Sequence, residues 1–175
     1  ARPRPLVPTP DVEVGRILSA LERHRVAFVV IGGFAIELHD VAVPPTRDID
    51  IPPAMGKANL ARLANALRAR GARFRVEGGP PTGVEIPGGI SAEWLADMVS
   101  VALVTGAGPL DISLRPDGST GYDDLAPQSV RIEYDGHSVP TAALEDVLRS
   151  KEATGRPKDI RVIPALRAHL RRRRR

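Results

Sequence analysis

The 175-residue chain contains no cysteine, which excludes a disulfide frame and a thiolate zinc site and is compatible with a reducing, intracellular setting. It also lacks a long apolar run. The longest unbroken one is Val26–Ile31, far short of the about 20 residues that cross a bilayer. No secretory leader is visible at the start, so the expectation is a soluble, cytoplasmic protein with no membrane partner. Net positive charge is lacking outside one place. The formal net charge is +4, but Arg171–Arg175 supply five positive charges and the other 170 residues carry 20 basic against 21 acidic side chains. Attraction to nucleic acid through bulk charge would therefore rest on that arginine run. The four histidines, His24, His39, His137 and His169, are scattered without metal-ligand spacing, and none is read as catalytic.

What the chain does have is concentrated between Val26 and Ile51. Val26, Phe28, Val29, Val30 and Ile31 form a β-rich apolar run closed by Gly32-Gly33, the pattern of a buried strand ending in a tight turn. A helix starting at Phe34 would leave backbone amides converging at that turn, a suitable place for phosphate oxygens. A second strand follows in Arg47-Asp48-Ile49-Asp50-Ile51. Its alternation puts Asp48 and Asp50 on one face and Ile49 and Ile51 in the core. Two carboxylates held side by side repel, and a divalent cation bound through hard oxygen ligands is the strongest candidate for the compensating charge. A phosphate cradle beside a metal-binding Asp-x-Asp is the layout that nucleotide transfer needs.

Gly32-Gly33 followed by Thr46-Arg47-Asp48-Ile49-Asp50 resembles the motif of the DNA polymerase β-like nucleotidyltransferase superfamily. Many members carry Gly-Ser at this turn, so the double glycine would leave phosphate contacts to backbone amides. In that superfamily a third acid lies on a neighbouring strand, and Asp111 of Leu110-Asp111-Ile112-Ser113-Leu114 matches it. The later run A-L-E-D-V-L-R-S-K-E-A-T-G-R-P-K-D-I resembles the C-terminal motif of the AbiEii/type IV toxin-like branch. By that resemblance Lys151 approaches the nucleotide phosphates, and Lys158 and Asp159 match the following K-D pair.

The resemblance implies an α/β (α+β) nucleotidyltransferase fold, with a small mixed, twisted sheet flanked by helices and a helical C-terminal portion. It makes Asp48, Asp50 and Asp111 the catalytic residues and the ligands of two Mg²⁺ ions. Gly32, Gly33, Arg47, Lys151 and Lys158 become the nucleotide-binding residues. The implied reaction moves a nucleoside monophosphate from an NTP to an acceptor hydroxyl. The acceptor is expected to be RNA, such as a tRNA end, with the chain as the toxin of a pair and a cognate antitoxin as partner. Two rivals stand beside this: an antibiotic-modifying enzyme of the same chemistry, and a non-catalytic nucleotide-binding module that kept the fold.

The rest of the chain divides into a loose lead-in over 1–10, a core over 11–140, C-terminal helices over 141–170 and a basic tail over 171–175. Thr9 is expected to cap the first helix, with Ile17, Leu18 and Leu21 as its apolar stripe. Leu60, Leu63, Ala64 and Leu67 recur at helical spacing up to Gly71. Arg73–Glu77 alternates weakly as a strand, Gly78–Gly89 is a loop, Ser91 caps a short helix through Met98, and Val101–Val104 is a strand. Asp135-Gly136 fits a two-residue hairpin turn. Thr141 is expected to cap a helix carrying Leu144, Val147 and Leu148. The last helix shows Ile160, Ile163, Leu166 and Leu170 as its stripe, with a kink at Pro164.

Overall fold

A computed structural model describes residues 12–175, so the lead-in and the Thr9 cap lie outside the described residues. Helix α1 (Val14–Arg23) buries Ile17, Leu18 and Leu21 on one stripe. After the second helix, α2 (Gly32–Leu38), strand β1 (Ile49–Ile51) leads into α3 (Lys57–Ala69) and the two-residue strand β2 (Arg73–Phe74). Helix α4 (Ala92–Ala96) is capped as expected, with the Ser91 hydroxyl accepting from the Trp94 amide at 3.0 Å. Strands β3 (Ser100–Thr105) and β4 (Gly108–Ser113) follow, then the single turn of helix α5 (Tyr122–Leu125). Strands β5 (Val130–Tyr134) and β6 (His137–Thr141) precede the two terminal helices, α6 (Leu144–Thr154) and α7 (Pro157–Arg173).

The main sheet runs in the order β1-β4-β3-β2. Its β1–β4 pair is parallel and the others antiparallel, so the sheet is mixed. β5 and β6 form a separate hairpin, turned by Asp135 (φ 48°) and Gly136 (φ 77°) in the left-handed geometry such a turn requires. Side chains from α1, α2, α3, β1, β3, β4, α6 and α7 meet in one continuous apolar core. Leu144, Val147, Leu166 and Leu170 seat the two C-terminal helices in it.

Four expectations change. Apart from the half-buried Ala27, the run Val26–Ile31 is buried, but it makes isolated bridges instead of a regular strand. Ile31 donates to Asp50 of β1 on one side while Val30 donates to Pro140 and accepts from Ala142 on the other. Ala27 and Val29 likewise bond to Ala54 and Pro52 on the first side, so the run lies between two neighbours as a seam joining the sheet to the hairpin, each pairing being too short for a regular ladder. Strand character at Arg73–Glu77 extends only to Phe74, which also bridges Val84. Thr141 ends β6 and its hydroxyl donates to Val139, so pairing outweighs the local capping preference and Ala143 occupies the N-cap of α6. Ile160 is exposed on α7, and Pro164 sits inside that helix without ending it.

Gly155, with φ 62°, takes the left-handed position that closes α6, and Pro157 opens α7 at its first turn. That sharp reversal stands α6 and α7 side by side facing the open side of the main sheet.

Candidate active site

A cleft of about 970 Å³ separates the sheet from the two C-terminal helices. Gly32, Gly33, Asp48, Asp50 and Asp111 line one side, and Lys151, Arg156, Lys158 and Arg161 line the other. Arg47 is exposed and is not among the lining residues, so the structure leaves it outside the group.

The acidic wall follows from alternation. Ile49 and Ile51 are fully buried, which turns Asp50 to the open face of β1. The parallel register sets Asp50 beside Asp111 of β4, where Leu110 and Ile112 point inward. Ser113, two residues on and hence on the same face, donates to Asp50 Oδ1 at 2.6 Å. Asp48 precedes the strand and is held by the Thr46 hydroxyl, which donates to its Oδ1 at 2.9 Å. Thr46 is fixed in turn through its amide, which donates to the Glu37 carboxylate of α2.

The double glycine has a packing reason. A Cβ at Gly32, whose φ is +70°, would come within 3.3 Å of the Asp50 Cβ, and one at Gly33 would stand 2.9 Å from Thr46. Glycine thus lets the start of α2 lie directly against the residues that carry and orient the carboxylates. No side chain caps the first turn of α2, and its Gly32 and Gly33 line the cleft with Asp50.

Electrostatics separate the acids. Burial, followed by the neighbouring Asp111 and Asp48 charges, raises the Asp50 carboxyl to about 6 despite the Ser113 hydrogen bond. Burial also raises Asp111, against the opposing effect of Arg75. Arg75 was not legible as a site residue, yet its Nη2 lies 2.5 Å from Asp111 Oδ1 and 3.8 Å from Asp48 Oδ2. Across the cleft Lys151 Nζ is 2.6 Å from Asp159 Oδ1, and Arg156 Nε donates to Asp159 Oδ2 at 2.9 Å. Burial alone would raise the Asp159 carboxyl, but these two cations outweigh it and hold it below the ordinary 3.8. Lys151 is close enough to favour the charged form of Asp50, and Lys158 does the same for Asp111.

The donor set on the acidic wall is three carboxylates and no sulfur or imidazole, which suits a hard divalent cation such as Mg²⁺. Among the described residues the acids do not converge as a preformed metal site, and the Arg75 guanidinium stands between two of them. Ser113 was within reach of sequence reasoning, because it shares the alternation of Asp111. Arg75 carried no such signal: its part depends on how β2, β3 and β4 align.

No protein-family model matches the chain, and no curated protein matches its sequence. Solved structures do match by shape. The solution structure of the antibiotic-resistance factor ANT(2'')-Ia aligns with a TM-score of 0.57 at 16% identity, over 90% of this chain and 82% of that one. The crystal structure of the same factor with adenylyl-2''-tobramycin gives 0.55 at 18%, over 90% and 87%. The lincosamide antibiotic adenylyltransferase LnuA, bound to lincomycin, gives 0.58 at 17%, over 90% and 98%. The chain therefore has the fold of these nucleotidyltransferases, a small mixed sheet flanked by helices.

Proposed function

We propose that the chain is a nucleotidyltransferase that moves a nucleoside monophosphate from an NTP to an acceptor hydroxyl, using divalent metal held by Asp48, Asp50 and Asp111. The observation that carries this is the register of Asp50 against Asp111, with Asp48 beside them, facing Lys151 and Lys158 across one cleft in a fold shared with adenylyltransferases. Two bound Mg²⁺ ions would supply charge neutralisation of the triphosphate. The amides at Gly32 and Gly33 hold the phosphate oxygens, and Lys151 and Lys158 balance their charge from the opposite wall. The acceptor oxygen attacks the α-phosphorus, the bond to the departing pyrophosphate breaks, and the hydroxyl proton passes to Asp111. Burial raises the basicity of that carboxylate and so suits it to the transfer.

For the acceptor we favour RNA, such as a tRNA end, on the exposed cations of α7. Lys158 and Arg161 line the cleft, and Arg171–Arg173 continue the same helix. Capping a tRNA end would disable it, so on this reading the chain is the toxin of a pair and an antitoxin counters it. The second reading, a small-molecule antibiotic as acceptor, is favoured by the structural neighbours that modify or bind antibiotics.

The test is incubation of the purified chain with labelled NTPs and Mg²⁺, against total RNA and, separately, a panel of hydroxyl-bearing antibiotics. Label in RNA supports the first reading and label in an antibiotic alone supports the second. Asp48→Asn or Asp50→Asn should lower transfer by at least about a hundredfold, because each deletes a metal ligand. Transfer within tenfold of wild type would return the acids to an ordinary polar surface.

A further inference from the structure

Across the open face of the main sheet, Asp50 of β1, Asp111 of β4 and Ala102 of β3 lie in one row by strand register. Arg75 adds itself to the end of that row. It follows β2, and its amide donates to the Ala102 carbonyl at 2.9 Å. Its side chain must therefore cross β3 to reach Asp111, and it crosses at alanine, where only a methyl group stands in the way. The guanidinium arrives at two of the three carboxylates, 2.5 Å from Asp111 and 3.8 Å from Asp48. Its Nε is buried and has no hydrogen-bond partner among the described residues. Among the described residues the two carboxylates are the side-chain anchors of this guanidinium, and no third group locks it in place.

We propose that Arg75 is an internal counter-ion, standing in for the divalent cation at Asp48 and Asp111 and yielding those carboxylates when the cation binds. This rests on the reading of the acids as a metal site. The physical reason is exclusion of like charges. A guanidinium within contact distance of a carboxylate occupies the lone pairs that a metal needs, and two positive charges at one site repel strongly where water is partly excluded. An apo site without such a group would hold three carboxylates facing one cleft with no guanidinium between them. With Arg75 in place, the fold tolerates the cluster before metal arrives.

Arg75 is then a competitor of the metal, the opposite of a ligand's helper. It also gives Ala102 a task, that of keeping the path across β3 open.

Titration of the intact chain with Mn²⁺, followed by calorimetry and by the electron spin resonance of free ion, tests this without substrate. Arg75→Ala should bind Mn²⁺ at least about tenfold tighter than wild type, whereas Arg75→Lys, which keeps the charge, should stay near it. Ala102→Leu leaves Arg75 intact but obstructs its path, and should tighten binding in the same direction. In chelator Arg75→Ala should melt below wild type, and saturating Mg²⁺ should close that gap. Weaker or unchanged Mn²⁺ binding by both Arg75→Ala and Ala102→Leu overturns the proposal. A melting deficit that persists at saturating Mg²⁺ does the same, since it marks Arg75 as plain scaffold. If wild type binds no Mn²⁺, or Asp48→Asn binds it equally well, the metal-site reading itself fails, which is a different outcome from either of these.

Discussion

Asp50 is the residue at which the fold works against its own sequence. Its carboxyl is raised from 3.8 to about 6 by burial, then by Asp111 and Asp48, so between those two pH values the folded chain holds a proton there that the unfolded chain releases. A group raised in the folded state destabilises the protein fully above its folded value and not at all below its unfolded one. In chelator, stability should therefore rise as pH falls from about 6 toward 3.8, by on the order of 3 kcal/mol at most. Asp50→Asn should remove that slope and melt higher than wild type at neutral pH. Denaturant titrations at several pH values check it, and a flat wild-type profile would contradict the raised carboxyl. The positions of Asp50 and Asp111 were legible because alternation along a strand is local, and Ile49, Ile51, Leu110 and Ile112 mark the inward face; the strand expected from Arg47 begins only at Ile49, so Asp48 owes its place to the Thr46 hydroxyl instead. Arg75 was not legible, because nothing within a few residues of it shows that it lies across from Asp111.

At the scale of elements, the reversal at Gly155 decides what Lys151 can do. Helix α7 returns Asp159 to Lys151, and the carboxylate is almost wholly buried between Lys151 and Arg156. Removing the carboxylate leaves Lys151 largely buried without its partner, so Asp159→Ala should cost about 3 kcal/mol in denaturant titration. The pH sign is opposite to that of Asp50. Asp159 is held below its ordinary value, so its contribution is present at neutral pH and is lost as pH falls below about 3.8. Lys151→Ala should instead raise the KM for NTP or lower kcat by at least about tenfold while the fold survives. Unchanged NTP kinetics would make Lys151 a structural partner of Asp159 alone. The helices themselves could be read from Leu60, Leu63 and Leu67 or Leu144 and Val147, because helical period is a local property. Val26–Ile31 and Thr141 could not, since their backbone partners come from segments distant in the chain.

For the whole molecule the contrast is between a nearly neutral body and a strongly basic end of α7. Arg171–Arg173 are helical and exposed, where their charge complements the negative end of the helix. If RNA is the acceptor, deleting Arg171–Arg175 should raise the KM for RNA and flatten its dependence on salt. Each lost phosphate contact should reduce the logarithmic slope by roughly 0.7 to 0.9. The KM for NTP should not move if the triphosphate is held, as proposed, at the cleft. An equal change in both constants would place the tail at the nucleotide, and no change in either would favour a small acceptor. The two walls of the cleft also come from stretches far apart, residues 31–117 and 150–165. A ribosome extrudes the acidic wall first, so for a time the growing polypeptide displays Asp48, Asp50 and Asp111 with neither Lys151 nor Lys158 yet made. Arg75 is translated between the second and third of those acids, and the nascent sheet therefore carries its own neutralising charge before the lysine wall exists.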